Sequence, residues 1–189
     1  MSYPITKRIK PKTMQKSDLK FIPNFFDRYI ALIDDNTYLI DGLKTNETIF
    51  KSISEKLIQH QEYRYKPNKW TPKELLQHVI DTERILTYRA LCISRLEPKA
   101  LLGFDENMYV ENSNANNRSV EDLLKEFRLV RQSTLPLFES FNEDVLHRAG
   151  ISFETKISTL ALGFTIIGHA KHHFKVLNER YFTNNVNLG

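Results

Sequence analysis

The feature that most constrains the fold is the helical repeat of apolar side chains along nearly every long segment. No stretch alternates apolar and polar side chains in the way that a half-buried strand does. The clearest helix boundary is WTPKELL, which places Thr71 as N-cap, Pro72 as the first helical residue and Glu74 as the capping-box partner. The pattern predicts an all-α chain with a long helix that starts at Pro72 and ends before Pro98.

Three further long helices follow from the same repeat. They are predicted over residues 37–60, from the N-cap Ser119 with a kink at Pro136, and over residues 159–182. Residues 21–33 are predicted to form a short helix or turn across the core, and residues 97–118 a long loop between the second and third helices. Four long helices predict a four-helix bundle, in which facing helices place polar side chains in the core.

The charge of the chain is concentrated at its beginning. Residues 1–17 carry five basic side chains and no acidic ones, so the net charge of +4 leaves the rest of the chain one charge negative. We therefore expect residues 1–20 to be a basic, flexible arm, residues 21–183 a single helical domain and residues 184–189 a tail. A nearly neutral domain lacks the basic face that phosphate binding requires, and nucleic acid is not an expected partner.

The compartment is predicted from what the sequence lacks. No apolar run approaches the roughly 18–20 residues of a membrane span, and the N-terminal segment has no apolar core of a secretory signal. The single cysteine, Cys92, has no intrachain partner for a disulfide. We expect a cytoplasmic protein with no membrane partner.

Histidines form the most unusual cluster in the chain. Three of the six lie in IIGHAKHHFKVL, where His169 and His173 share one helix face and His172 points about 100° away. The pair alone fits either a coincidence or half of a metal site. His78 lies among apolar residues in the middle of the second long helix. It is either a core histidine bonded to a carbonyl or to Asp81, or a ligand that faces the last helix.

Three motifs carry a resemblance to a known family. The segments YRYKPNKWTPKELLQHVIDTERILTYRALCISR, GFDENMYVENSNANNRSVEDLLKEFRLVRQSTLPLF and IIGHAKHHFKVLNERY resemble the DinB-like superfamily of bacterial DNA-damage-inducible proteins. The resemblance implies a four-helix bundle, usually dimeric, with a divalent metal held by one histidine of the second long helix and an HxxxH pair of the last. These roles fall on His78, His169 and His173, and His172 is not assigned a metal.

The resemblance also implies a chemistry. Related proteins include bacillithiol- and mycothiol-dependent transferases, so a low-molecular-weight thiol or water is expected to be activated on the metal and to attack a small-molecule electrophile. Zinc is the expected ion, and nickel and iron also suit three imidazoles. Three protein ligands leave a coordination position open, which is typical of catalytic rather than structural zinc. The alternative is a non-catalytic stress-response or binding module whose metal site is structural or vestigial.

Other residues have candidate roles around this site. Asp81 and Glu83 are candidate acceptors for the second ring nitrogens and, with Arg89, candidate catalytic residues. Arg89 either binds a carboxylate of the thiol or pairs on the surface. Gly163 and Gly168 in the last helix are expected to allow close backbone approach. Several residues of the long loop either cover the site or serve turn chemistry, namely Asp105, Glu106, Tyr109, Asn116 and Asn117.

Overall fold

The structure, a computed structural model, describes residues 14–182. Its helices are α1 (Asp27–Ile30), α2 (Leu39–Thr45), α3 (Ser54–Gln59), α4 (Pro72–Ser94), α5 (Glu106–Glu111), α6 (Val120–Glu139), α7 (Glu143–His147) and α8 (Thr159–Val176). Two strands, β1 (Ala149–Ser152) and β2 (Thr155–Ser158), precede α8. A π-helical turn, Leu177–Tyr181, continues α8.

The bundle has four members, of which the first is broken. Helix α4 packs against α6 and α8, while α2 packs against α6 and α8, and α3 packs against α6. The predicted four-helix bundle is confirmed. Both predicted caps are present, since the Thr71 and Ser119 side chains accept from the backbone of Glu74 and Asp122. Among the helices of residues 14–182, none is long and apolar enough to cross a membrane.

The first bundle helix is not continuous, and the prediction of one helix over residues 37–60 is wrong. Helix α2 is followed by two 3-10 turns, Asn46–Thr48 and Lys51–Ile53, before α3 begins. The break lies where Arg131 needs acceptors. The guanidinium donates to the Leu43 carbonyl at 2.9 Å and to the Asn46 side chain at 3.2 Å. A continuous helix would commit the Leu43 carbonyl to its own helix.

The described residues are mostly helical, as predicted, and β1 and β2 add a short antiparallel hairpin. Its two turn residues, Phe153 and Glu154, have φ values of 50° and 60°. Asn-Gly or Asp-Gly is the usual sequence for such a turn, and its absence left the hairpin without a signal in the sequence. Leu101 joins the hairpin, since its N–H donates to the Ile151 carbonyl at 2.9 Å and its carbonyl accepts from Phe153 at 3.0 Å.

The predicted loop over residues 97–118 contains helix α5 and a 3-10 turn, Ala115–Asn117. The hairpin holds its first half through Leu101. Asn116 ties its second half to the start of α4. The Asn116 side chain accepts from the Thr71 hydroxyl at 2.7 Å and donates to the Glu74 carboxylate at 2.7 Å. The loop is therefore structured at both ends.

The predicted basic arm falls partly on described residues. Met14 is buried in the core, and its carbonyl accepts from the Leu39 N–H at 2.9 Å. Lys16 donates to the Ile33 carbonyl at 2.5 Å. Residues 1–13 and the predicted tail, residues 184–189, lie outside the described residues, so the flexibility of the arm stays a prediction.

Buried polar side chains form a layer across the middle of the bundle. We call this the polar layer, and its members are His78, Thr82, Glu83, Arg131, Thr134, His169 and His173. Apolar clusters cover both of its sides, one containing Leu86 and Ile93 of α4 and the other Leu75 and Leu76. On α4 and α8, the layer lies where the two clusters meet.

Arg131 and Glu83 are the most completely paired members of the polar layer. Arg131 is 0% exposed and Glu83 3% exposed. Two parallel hydrogen bonds of 2.7 and 2.9 Å join the guanidinium to the carboxylate. The Thr134 hydroxyl donates to the same carboxylate at 2.9 Å. The pair therefore fixes α4, α6 and the end of α2 against one another.

Arg131→Met should lower the free energy of unfolding by about 3–5 kcal/mol, because it leaves the Glu83 carboxylate buried and unpaired. Adding Glu83→Leu in the same chain should recover much of this loss. Urea denaturation measures both effects. Arg84→Met is the control, since Arg84 is half exposed in its ion pair with Glu126 and should cost at most about 1 kcal/mol. A loss at Arg131 no larger than at Arg84 would contradict the assignment.

Candidate metal centre

Three imidazoles converge in the polar layer. His78 lies on α4, and His169 and His173 lie one turn apart on α8. The Nε2 atom of His169 lies 3.1 Å from the Nε2 atoms of both His78 and His173. The three residues form a group whose candidate ligand atoms all lie within 4.8 Å of one another. The structure thus brings together the three histidines that the family resemblance selected.

Hydrogen bonds between the rings cannot account for the close approach of all three Nε2 atoms. A neutral imidazole nitrogen carries either one hydrogen or one in-plane lone pair, so the His169 Nε2 atom makes one good hydrogen bond. It nevertheless has two nitrogen neighbours at the same distance of 3.1 Å. A tetrahedral ion with nitrogen ligands at about 2.0–2.1 Å keeps those ligands about 3.3 Å apart. The geometry therefore fits three lone pairs directed at one divalent ion.

The protonation states suit the same interpretation. Burial, followed by the charge of His172, lowers the pKa of His78 from 6.5 to about 4. Burial also lowers the pKa of His169 and of His173 well below 6.5, and the neighbouring histidines lower them further. All three rings are neutral at pH 7, which is the form that binds a metal.

A cavity of about 180 Å³ opens onto the three rings. Its wall is mostly aromatic and apolar, with two guanidinium groups and one carboxylate among the described residues. The lining includes Phe25, Phe26, Arg28, Tyr29, Trp70, Thr82, Leu86, Arg89, Gly103, Phe104, Glu106, Phe153 and Thr165. Within residues 14–182, no fourth histidine, cysteine or carboxylate joins the group of three. An ion held there would keep a coordination position facing the cavity.

Tyr29 supports the α8 histidines from outside. Its ring contacts His169 and His172 edge to face, with centroid distances of 5.1 and 5.5 Å. Gly168 makes this contact possible, because a Cβ there would lie 2.1 Å from the Tyr29 carbonyl oxygen. The expected close approach at Gly168 is confirmed. At Gly163 the close neighbours are side chains and not backbone, since a Cβ there would lie 2.6 Å from a Leu39 methyl group and 2.9 Å from the Phe138 ring.

Trp70 supports His78 in a similar way. Its ring lies 4.7 Å from the His78 ring, and its carbonyl accepts from the Tyr181 hydroxyl at 2.6 Å. Two buried polar atoms in this region, the Thr82 hydroxyl and the His173 Nδ1 atom, have no hydrogen-bond partner in the described part of the chain. Because Thr82 lines the cavity, its hydroxyl is available to a bound molecule or water.

Two of the three predicted catalytic candidates lie away from the cavity. Glu83 is bound to Arg131, and Asp81 accepts from Gln77 at 2.9 Å and lies 3.6 Å from Arg84. Neither carboxylate is a hydrogen-bond partner of the three rings, so their predicted role as acceptors is corrected. Glu83, five positions after His78, points about 140° away around α4. Asp81, three positions after His78, lies nearer to its face but is bound by Gln77 and Arg84 instead. Arg89 does line the cavity.

The loop candidates separate in the same way. Glu106 lines the cavity, while Asp105 caps α5 and Asn117 donates to Asn114. Asn116 braces the start of α4, and Tyr109 lies beside a neighbouring groove. Thus one of the five covers the site and others serve turn and capping chemistry.

Sequence reasoning missed the outer wall of the cavity. Phe25 and Phe153 pack against each other at 5.1 Å, and both have positive φ, 70° and 50°. A bulky residue in this region costs on the order of 1–3 kcal/mol, and such residues cluster at functional sites. Gly103 fits beneath them, since a Cβ there would lie 2.3 Å from the Phe153 ring. Nothing in the sequence around Phe25 or Phe153 marks a left-handed residue.

Gly168→Ala should destabilise the protein by about 1–3 kcal/mol, because the backbone carbonyl of Tyr29 must shift to admit the methyl group. Gly42→Ala is the matched control. Its Cβ would meet the ends of two side chains, Ile167 at 2.8 Å and Thr37 at 3.1 Å, so the gain in helix propensity of up to about 1 kcal/mol should offset the contacts. Urea denaturation of the two variants checks the difference. Equal stabilities would refute the close approach.

Metal-free protein should lose stability as the pH falls from about 6.5 towards 4. The unfolded chain protonates its histidines first, because the folded pKa of each of the three rings is lowered, so acid favours unfolding. Urea midpoints between pH 8 and pH 5, measured with a chelator present, test this expectation. His78→Gln should show a smaller pH dependence, since one of the lowered groups is removed. A midpoint that does not change over this range would contradict the burial of neutral rings.

Comparison with known proteins identifies the family. Residues 18–177 match the DinB superfamily, which confirms the resemblance of the three motifs. A search of curated proteins finds no match. Among solved structures, the fold is similar to YfiT from Bacillus subtilis, described as a probable metal-dependent hydrolase with an unusual four-helix bundle topology. The TM-score is 0.65 at 13% identity, over 75% of this chain and 85% of YfiT.

Proposed function

The chain belongs to the DinB superfamily, and on that premise we propose that it is a divalent-metal-dependent enzyme with hydrolytic activity. His78, His169 and His173 hold the ion. The single observation that carries the proposal is the convergence of three buried Nε2 atoms, 3.1 Å apart in two of their pairs, at the wall of a cavity. The description of YfiT as a probable metal-dependent hydrolase supports the choice of hydrolysis.

The chemistry divides between the ion and the cavity wall. A bound divalent ion supplies Lewis acidity and lowers the pKa of a water or thiol at its open position. Glu106 is the one carboxylate among the described residues that line the cavity, and we assign it the role of proton acceptor. Trp70 and Tyr29 hold the rings in place through their contacts with His78 and His169. The aromatic wall excludes bulk water.

Water is the nucleophile of the proposed hydrolysis. A low-molecular-weight thiol is the alternative nucleophile in the same mechanism, because both require only an open position beside a proton acceptor. Zinc is the ion that three neutral imidazoles and one open position suit best, with nickel and iron next. The homodimer implied by the family resemblance stays a prediction.

Untagged protein should contain one divalent ion per chain by elemental analysis. His78→Ala and His169→Ala should each lose it, because two imidazoles from one or two helices hold an ion far more weakly than three. His172→Ala and His147→Ala are matched controls that should keep the ion. The metal-loaded protein should hydrolyse 4-nitrophenyl acetate faster than the metal-free protein. Glu106→Gln should keep the ion and slow hydrolysis by roughly a hundredfold.

Other results would distinguish the proposed enzyme from a protein with a structural or vestigial metal site. One ion per chain remaining in His78→Ala would reject the assignment of the ligands. A stoichiometric ion that raises the melting temperature, but supports neither ester hydrolysis nor any reaction of an added thiol, would favour the structural or vestigial site. Trp70 is the single tryptophan and lies 4.7 Å from the His78 ring, so its fluorescence reports ion binding independently of activity.

A further inference from the structure

Arg89 is a buried cation with no counter-ion among the described residues, and its guanidinium lies 5.9 Å from the centre of the Phe104 ring. The side chain is 4% exposed, and no carboxylate lies within ion-pair distance of it among residues 14–182. Its one hydrogen bond to a described residue goes from Nη2 to the Leu102 carbonyl at 2.7 Å. Arg131, the other buried arginine of the bundle, has a bidentate carboxylate and two further acceptors. The protein thus supplies Arg131 with hydrogen-bond acceptors, while most of the five N–H groups of Arg89 have no acceptor among the described residues.

An unpaired buried charge is costly, so its retention needs an explanation. Removing a guanidinium from water costs several kcal/mol unless an anion or several acceptors replace the water. Burial lowers the pKa of Arg89, which reflects the same cost. Its side chain lines the cavity of the candidate metal centre and also the adjoining groove beside Leu102 and Phe104. The free N–H groups are therefore accessible to a molecule inside the cavity.

Arg89 and His78 lie at opposite ends of this cavity. Both are on α4, eleven positions apart, which separates their Cα atoms by roughly 16 Å along the helix. Helical side chains lean towards the N-terminus, so the Arg89 side chain extends back towards His78. Apolar side chains line the space between the two ends, among them Leu86, Phe26 and Phe104. The wall between these two ends is mainly apolar and aromatic, with the Thr82 hydroxyl as a polar group of α4 between them.

We propose that the substrate is a small, elongated, largely apolar molecule with a carboxylate that binds Arg89, while its reactive group lies at the three histidines. This assignment of a substrate class rests on the proposed hydrolytic function. The binding of a carboxylate by Arg89 does not depend on the metal and is tested separately. The planar fork of a guanidinium matches a carboxylate through two parallel hydrogen bonds, which is the geometry that Glu83 uses with Arg131.

The size of the cavity limits the ligand. A volume of about 180 Å³ excludes a folded macromolecule and accepts one small molecule. Phe25 and Phe153, whose left-handed backbones place their rings at the outer wall, provide contacts for an aromatic or aliphatic body. A fully polar anion would leave this aromatic wall without apolar contacts. An aryl or alkyl carboxylate satisfies both the cation and the wall.

The experiment titrates three carboxylates into purified full-length protein by calorimetry: benzoate, phenylacetate and 3-phenylpropionate. At least one should bind saturably at millimolar concentration or below, and 3-phenylpropanamide should bind more weakly than its acid. Arg89→Gln should lower the affinity for the carboxylate roughly ten- to a hundredfold, since a charge-assisted bond is removed. Arg89→Lys, which keeps the charge but not the fork, should lose less affinity than Arg89→Gln.

Matched variants make the result decisive. Arg84→Gln, on the same helix but paired with Glu126, should bind as wild type. His78→Ala should also keep the carboxylate, because Arg89 holds it. Binding lost in His78→Ala and kept in Arg89→Gln would place the carboxylate on the metal and overturn the inference. No saturable binding of any of the three acids would overturn it as well, as would a clear loss of stability in unliganded Arg89→Gln.

The two proposals fail in different ways. If the protein holds no ion and hydrolyses no ester, yet binds a carboxylate through Arg89, the hydrolase proposal falls and the anion site stands. If the ion and the hydrolysis are present but Arg89→Gln changes neither carboxylate binding nor the KM for a carboxylate-bearing ester, the inference falls and the hydrolase proposal stands.

Discussion

The ion pair between Glu83 and Arg131 is the contact on which the arrangement of the bundle depends. Neither charge is tolerated inside an apolar core alone, so α4 and α6 must meet at this point and α2 must end where Leu43 and Asn46 supply acceptors. Glu83 lies five positions after His78 on α4, which turns the two side chains to different neighbours. Fixing Glu83 against α6 therefore directs His78 towards α8 and its two histidines.

Close backbone contacts then position the segments that surround the three histidines. Gly168 lets the Tyr29 carbonyl approach α8, which places the Tyr29 ring on His169 and His172. The hairpin holds Leu101 through backbone hydrogen bonds. Leu101 in turn positions the next two residues, Leu102 and Gly103, of which Gly103 lines the cavity. The left-handed Phe153 at its turn stores strain that the surrounding packing must outweigh. Segments outside the four members of the bundle thus supply part of the cavity wall.

The bundle and the three histidines were predictable because each depends on periodic or local signals. Helix repeats and the caps at Thr71 and Ser119 fix α4, α6 and α8, and the family motifs select His78, His169 and His173. What failed depends on contacts between distant residues. The break after α2 is imposed by Arg131, about 85 positions later, and the hairpin turn at Phe153 lacks the residues that usually mark it. Asp81 and Glu83 were selected by nearness in sequence, but their partners are set by the face of α4 on which they lie.

Completeness of hydrogen bonding separates the structural half of the polar layer from the functional half. Arg131, Glu83 and Thr134 satisfy one another within the protein, as buried polar groups must when their role is to hold helices together. On the cavity side, three ring nitrogens crowd together. Within residues 14–182, the Thr82 hydroxyl and the His173 Nδ1 atom have no hydrogen-bond partner and Arg89 has no counter-ion. A protein selected for stability alone would remove these costs with apolar side chains. Their grouping around one cavity is explained if a cation at one end and an anion at the other complete the site.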